Sequence, residues 1–289
     1  MKTPRPWLSL LRELYAPPSP AEARRQNEAY GNLLVNLGLA TREQIDRCLA
    51  APADLANPFP KLSRLLIQQK ILTPATLAGS VVAHAAEDPD NWIGPYVLVG
   101  NLRGQTWKAW DLVRRDWAEL TFIPVEEADR LRKRAAVLHP ALASLLEIGA
   151  ADHRTYVVFE SIAGIRLSAA LRSEPRALIE AIRDAAEGVA ALHARGVLHG
   201  GVSLETVVID AAGRGRLTGW GSGSGDVRAL GGALYELLTD RPAPPKGAPK
   251  AWPKRLSKEL RAVLDDALGS RRPSASGFAG DLTSILRGS

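Results

Sequence analysis

The sequence predicts an α+β protein in which an all-α N-terminal domain precedes a mixed domain. Apolar residues recur at helical spacing between residues 27 and 88. From Gly94 onward, short β-branched and aromatic runs alternate with turn residues, which is typical of strands. Helical spacing returns in the last third of the chain, for example from Leu178 to Leu192. Strands followed by helices, without strict alternation, favour the α+β class.

The chain divides into three predicted zones, separated by changes in composition. The first is rich in proline and charge, the second is helical, and a linker around 89–93 precedes the third. These zones are an arm at 1–26, a helical repeat domain at 27–88 and a mixed domain at 94–289.

A weak internal repeat organises the helical zone. The segment Tyr30–Val35 recurs as Leu62–Ile67, and both copies continue in a similar register. Thr41 and Thr73 stand where a threonine oxygen can cap the next helix. Each copy therefore predicts a helix, a turn and a helix, and the two copies are expected to pack together because one copy alone cannot bury its apolar face.

The mixed zone predicts a sheet with one helix, followed by a helical half. Turn residues bound the strands, and Gly196 suits the end of the helix that contains Leu178 and Leu192. The remaining predicted strands and helices are strands near 96–99, 106–111, 117–123, 145–148 and 156–159, and helices near 126–138, 227–239, 258–268 and 276–286.

Composition excludes several functional classes. One cysteine, Cys48, rules out an internal disulfide, and the five histidines show no zinc spacing. No apolar run approaches the ~20 residues that span a bilayer, so a cytoplasmic protein without a membrane span is expected. The net charge of +6 is spread along the chain, and its densest cluster, Arg130 to Arg134, is predicted to be a solvated helix face.

Six short motifs resemble those of bacterial Ser/Thr protein kinases and occur in the same order as in that family. The resemblance covers nearly all of 94–288 and implies a two-lobed kinase-like fold, with a small lobe at about 94–160 and a large lobe at about 161–289. The motifs are Gly94-Pro95-Tyr96, His139-Pro140, Tyr156 to Glu160, Leu192 to His199, Asp226 to Thr239, and Arg272-Pro273-Ser274-Ala275.

The resemblance also implies that the nucleotide-binding residues are degenerate. Kinases hold the α- and β-phosphates with a strand lysine, and that position aligns with Thr121. Glu119 aligns with the small alanine that normally lies against adenine, where a carboxylate would have to be desolvated. Of the glycine-rich loop, only Gly104 fits without a shift. A vestigial pocket at these three residues is therefore expected to bind no nucleotide, and no cofactor, ATP or Mg²⁺, is expected.

The same alignment leaves no catalytic residue. The catalytic aspartate aligns with Gly201, the metal-binding asparagine with Thr206, and the metal-binding aspartate with Gly219. The activation segment is reduced to a few residues. Four positions with structural roles in the family are kept, and one of them, Asp226, is also predicted to be a helix N-cap. These scaffold positions are His199, Trp220, Asp226 and Arg272.

The N-terminal repeat resembles the small helical domain of type II secretion ATPases, over roughly 60 residues. Relatives of that domain bind cyclic di-GMP through an Arg-Leu-Gly start in each copy. Here the starts are Ala29-Tyr30-Gly31 and Lys61-Leu62-Ser63, so nucleotide binding is not carried over. A docking or packing module is favoured.

Three functions remain open on the sequence. The first is a catalytically inactive scaffold or regulator that binds a protein partner, such as an active kinase or a signalling assembly. The second is an atypical ATP-dependent kinase, in which Glu119, Glu205 or Asp129 would replace the lost groups. The third is an anion or nucleic-acid binder that uses the basic surface. It ranks last because the chain has no recognised nucleic-acid motif.

Overall fold

A computed structural model describes residues 20–50, 62–151, 153–170, 174–254, 256–269 and 273–288. The chain consists of two compact units, Met1–Val99 and Gly100–Ser289. Their described parts combine helices with antiparallel strands, which confirms the predicted α+β class.

Four helices form most of the described first unit. Buried residues from the first three helices and their connections share one apolar cluster, which includes Leu34, Ile45, Leu62 and Leu66. The helices are α1 (Pro20–Asn36), α2 (Arg42–Leu49), α3 (Leu62–Gln68) and α4 (Pro74–Ala85).

Threonine caps begin two of these helices, as predicted. Thr41 Oγ1 accepts the backbone N–H of Gln44 at 3.2 Å, and Gln44 Oε1 accepts the backbone N–H of Thr41 at 2.8 Å. This reciprocal pair is a capping box. Thr73 Oγ1 accepts the backbone N–H of Thr76 at 3.1 Å. Each cap satisfies a donor that the first helical turn would leave without a partner.

The residues predicted to be a linker, 89–93, form short regular elements. Pro89–Asn91 form a 3₁₀ turn, and β1 (Trp92–Ile93) pairs antiparallel with the start of β2 (Tyr96–Arg103). Ile93 lies opposite Tyr96 and is buried. A two-residue strand is too short for an alternating pattern to reveal it.

The second unit contains an antiparallel sheet with strand order β3-β4-β6-β5. The helix α5 (Ala128–Ala135) follows β4 after a 3₁₀ turn at Val125–Glu127. It is shorter than the predicted 126–138. The strands are β3 (Thr106–Asp111), β4 (Asp116–Ile123), β5 (Leu145–Ala151) and β6 (Arg154–Glu160).

The rest of the second unit is mainly helical. Its core clusters around α6, whose buried residues recur at helical spacing from Leu178 to Leu192, as predicted. A small antiparallel sheet, β7-β8-β9, lies in this part of the chain. The elements are β7 (Gly164–Arg166), α6 (Pro175–His193), β8 (Val207–Asp210), β9 (Gly215–Leu217), α7 (Asp226–Thr239), α8 (Lys258–Leu268) and α9 (Ala275–Gly288).

None of the helices in the described residues has the length and apolarity needed to cross a membrane.

Candidate functional site

Two loops of the second unit lie side by side and hold five of the ten residues singled out by sequence, namely His199, Gly201, Thr206, Gly219 and Trp220. We call them the His199 loop (residues 199–206) and the Trp220 loop (residues 218–225). Backbone hydrogen bonds join them: the Gly221 N–H donates to the His199 carbonyl at 3.1 Å, and the Gly223 N–H donates to the Gly200 carbonyl at 2.8 Å. At the other end, the Thr218 N–H donates to the Thr206 carbonyl at 2.7 Å. The pairing gives both loops a defined shape without regular secondary structure.

Asp226 anchors the His199 loop. Its carboxylate accepts the backbone N–H of His199 at 2.8 Å and that of Gly200 at 2.7 Å. The same group is 2.9 Å from Nε2 of His193, at the end of α6. Helix α7 begins at Asp226, and its N-cap is Gly225. The prediction that Asp226 is an N-cap is therefore wrong: the side chain is buried and serves a distant loop instead of its own helix.

His199 is fully buried at the start of its loop. Its Nδ1 accepts the backbone N–H of Gly201 at 3.3 Å, and its ring lies 6.2 Å from the Trp220 ring, centre to centre. His199 therefore shapes the turn and packs against the second loop.

Glycines are required where the two loops touch. Gly200 has φ +70°, and a Cβ there would lie 2.3 Å from the Gly221 carbonyl oxygen. A Cβ on Gly201 would lie 2.9 Å from the backbone N of Gly221. An aspartate side chain at Gly201 would therefore push the loops apart. Gly219 has φ +71°, which favours glycine over any side chain.

Thr206 closes the His199 loop. Its hydroxyl donates to the Gly201 carbonyl at 2.8 Å and accepts the Ser203 N–H at 2.8 Å. These bonds engage the hydroxyl within the turn, which is a structural role.

Glu119 lies apart from the glycines, on β4, in an ion pair that is largely buried. Its side chain is 3% exposed, and Arg166 Nη2 donates to it at 3.0 Å. Arg166 also donates to the carbonyl of Glu205, in the His199 loop. This arginine therefore links the sheet to the loop, a role that the sequence did not reveal.

Lys108 completes a polar group around Glu119. Its ammonium group donates to the Ser161 hydroxyl and lies 5.0 Å from the centre of the Trp117 ring. Burial lowers the Lys108 pKa, and the neighbouring Glu119 carboxylate partly offsets that effect. Acid, lysine, arginine and hydroxyl thus lie together at this place in the unit.

Thr121 and Gly104 have ordinary structural surroundings. Thr121 lies opposite Thr106 across β3 and β4, and their hydroxyl oxygens are 3.0 Å apart. Gly104 has φ +48° in the turn after β2, where its carbonyl accepts Nδ2–H of Asn101 at 2.9 Å. Arg272, the remaining predicted scaffold residue, lies outside the described residues.

Contrary to the prediction, Arg134 does not lie on a solvated helix face, because it is only 2% exposed. Its Nη1 donates to the Gly219 carbonyl at 3.3 Å, and its guanidinium carbon lies 4.5 Å from the centre of the Phe159 ring. Burial lowers its pKa to about 10. In the sequence, Arg134 differs from Arg130 only by its position on the helix relative to the neighbouring charges. That position did not show which of the two arginines is buried.

Within the part of the chain that the structure describes, no group of three or more His, Cys, Asp or Glu side chains could hold a metal ion.

Comparison with known proteins gives no assignment. No protein-family model matches the chain, and no curated protein matches it significantly.

Proposed function

We propose that this chain is a catalytically inactive protein-kinase-like scaffold, which acts by binding a protein partner. The proposal combines the order of the sequence motifs with the contacts around the His199 and Trp220 loops. In this reading, residues of about 94–160 form a small lobe and those of about 161–289 a large lobe.

The observation that carries the proposal is the contrast between the anchor of the His199 loop and its chemical positions. Asp226 holds the loop through two backbone N–H groups. The positions that align with the kinase base and metal ligands are Gly201, Thr206 and Gly219. Glycine can neither accept a proton nor bind Mg²⁺ through a side chain.

The contacts around these positions support a loss of catalytic function, as opposed to replacement of the catalytic groups by other residues that do the same chemistry. A side chain at Gly201 would collide with the backbone of the Trp220 loop. The hydroxyl of Thr206 is engaged by the turn. Each missing electrostatic group commonly contributes ~3 kcal/mol or more to transition-state stabilisation, so their joint loss predicts negligible phosphoryl transfer.

ATP does not fit the position of Glu119. In the aligned family a small side chain lies against adenine, whereas here a carboxylate is buried in an ion pair with Arg166. A base would have to displace that pair or leave Glu119 buried beside an apolar ring, and either choice is costly. Asp129, a candidate substitute for the enzyme alternative, is exposed and paired with Arg132.

The partner would be a protein, such as an active kinase or a signalling assembly in the cytoplasm. The helices α1 to α4 would then serve as a docking or packing module. Capture of partners with the full chain, compared with the Asp226→Ala variant, would test whether partner binding requires the ordered loop pair.

Thermal denaturation in the presence of adenosine or ATP tests the absence of a nucleotide site. Purified protein would be titrated with adenosine, ATP and ATP with Mg²⁺, up to millimolar concentration. A ligand that binds only the native state raises Tm with the logarithm of its concentration. We expect no rise with adenosine and no Mg²⁺-dependent rise with ATP. A saturable rise in either case would show a working nucleotide pocket and contradict the proposal.

A further inference from the structure

Arg134 is a buried cation for which the described chain supplies no anion. It lies in the last turn of α5 and is 2% exposed. The one hydrogen bond that its guanidinium group donates to a described residue goes to the neutral Gly219 carbonyl, at 3.3 Å. Its Nη2 has no acceptor, and no carboxylate pairs with the guanidinium group, within the described residues.

The aromatic neighbours compensate only part of this charge. The Arg134 guanidinium carbon lies 4.5 Å from the Phe159 ring centre and 5.6 Å from that of Trp220. Ring faces attract a cation, but a buried cation needs hydrogen bonds and opposite charge to offset its lost hydration. Burial lowers the pKa to about 10, so the group is still charged at neutral pH.

Trp220, whose ring centre lies 5.6 Å from the Arg134 guanidinium carbon, supplies a second buried donor. Nε1 of Trp220 is buried and has no acceptor among the residues that the structure describes. Buried indole N–H groups usually have a partner. The Arg130 guanidinium carbon also lies 5.4 Å from the centre of the Trp220 ring, but Arg130 is paired with Glu127 at 3.1 Å. Thus only Arg134 of these two arginines has an uncompensated charge among the described residues.

We propose that Arg134 and Trp220 bind a small inorganic anion, with inorganic phosphate or chloride as the candidate ions. Two unsatisfied N–H donors from different elements require an acceptor, and the guanidinium charge requires that the acceptor be negative. A water molecule would accept the hydrogen bonds but would not balance the guanidinium charge. The near-complete burial of Arg134 favours an ion over a larger anionic metabolite. The anion would tie α5 to the Trp220 loop, and this site is independent of the proposed scaffold function.

Thermal denaturation at constant ionic strength tests the site. The wild-type protein would be melted in sodium gluconate, whose bulky anion is a poor fit, with stepwise replacement by phosphate in one series and chloride in another. We expect Tm to rise with the logarithm of the concentration of the bound ion. The series that responds identifies the ion. No response in either series would overturn the proposal.

Two arginine variants separate the site from general salt effects. Arg134→Met removes the charge and keeps a long apolar side chain, so its Tm is expected to be independent of the ion. Arg132→Met, on the exposed face of the same helix, is the matched control and should respond as the wild type does. Equal responses in all three proteins would overturn the proposal.

Isothermal titration calorimetry keeps the test decisive if Arg134→Met does not fold. Phosphate and chloride would be titrated into the wild type and into Trp220→Phe. A single saturable site is expected in the wild type, with an affinity about fivefold lower in Trp220→Phe because one hydrogen bond is lost. Absence of saturable heat in the wild type, or unchanged affinity in the variant, would contradict the assignment.

Discussion

The Asp226 carboxylate accepts the backbone N–H of His199 at 2.8 Å, although the two residues are 27 positions apart. A second bond, from the Gly200 N–H, uses the other carboxylate oxygen. A buried carboxylate thus holds the shape of a loop that lies far from it along the chain.

Removing this carboxylate should destabilise the protein strongly. Asp226→Ala leaves two backbone N–H groups of the His199 loop without their acceptor, and we expect a loss of roughly 3–5 kcal/mol in the free energy of unfolding. Urea denaturation of the variant measures it. Asp281→Ala, an exposed acid on α9, is the control and should change stability by less than about 0.5 kcal/mol. Similar effects of the two substitutions would contradict the anchoring role.

The Glu119–Arg166 pair should show energetic coupling. Arg166→Ala would leave a carboxylate that is 3% exposed without its guanidinium partner, at a cost of about 2–4 kcal/mol. In a double-mutant cycle with Glu119→Ala, the coupling energy should exceed about 1 kcal/mol.

The exposed pair Asp129–Arg132 provides the matched control for that cycle. Its side chains are 86% and 65% exposed, so its coupling energy should stay below about 0.5 kcal/mol. Equal coupling in the two pairs would mean that burial does not strengthen the Glu119 interaction.

Introducing an acid at Gly201 should not create an enzyme. In Gly201→Asp the new Cβ meets the Trp220 loop backbone, and we expect a loss of about 1–3 kcal/mol without phosphoryl transfer. Gly200→Ala should cost about 3 kcal/mol, since it adds an overlap at positive φ. Gly280→Ala, in an open position on α9, should instead stabilise by up to about 1 kcal/mol. Urea denaturation of the three variants would measure these three changes in the free energy of unfolding.

Alkaline pH should reveal the buried hydroxyl of Tyr156. Its O–H donates to Glu147 Oε1 at 2.8 Å, and burial together with this bond raises its pKa to about 12. The folded state therefore favours the protonated phenol. The resulting stability is fully present below the unfolded pKa of about 10 and is lost as pH rises towards 12.

Comparison with Tyr156→Phe isolates that effect. Stability of the wild type should fall more steeply between pH 10 and 12 than stability of the variant, because groups other than Tyr156 are common to both. Parallel pH profiles would show that the Tyr156 hydroxyl is not held in its protonated form.

Much of the regular structure could be predicted because its signals are local. The helix Lys258–Leu268 has its predicted bounds, and Ser257 caps it through a hydrogen bond from the Leu260 N–H at 3.1 Å. The caps at Thr41 and Thr73 likewise use residues three positions away. Periodicity and capping are properties of short segments, so a single sequence contains them.

The contacts that build the site could not be predicted in this way. Arg134 and Gly219 are separated by 85 positions, and Arg166 and Glu119 by 47. On α5, a buried arginine and an exposed one have the same residue type and similar neighbours in sequence. Which of them turns inward depends on Phe159 and Trp220, which reach the helix from distant parts of the chain. The short strand β7 depends similarly on pairing with β8, which lies far from it along the chain.

Phosphoryl transfer from radiolabelled ATP tests the central claim most directly. The purified wild type would be incubated with Mg²⁺ or Mn²⁺ and with generic protein substrates, beside Asp226→Ala as a control for contaminating kinases. We expect no labelling of the chain or of the substrates above the level of that control. Metal-dependent labelling by the wild type that persists through further purification and is absent from the control would contradict a catalytically inactive scaffold.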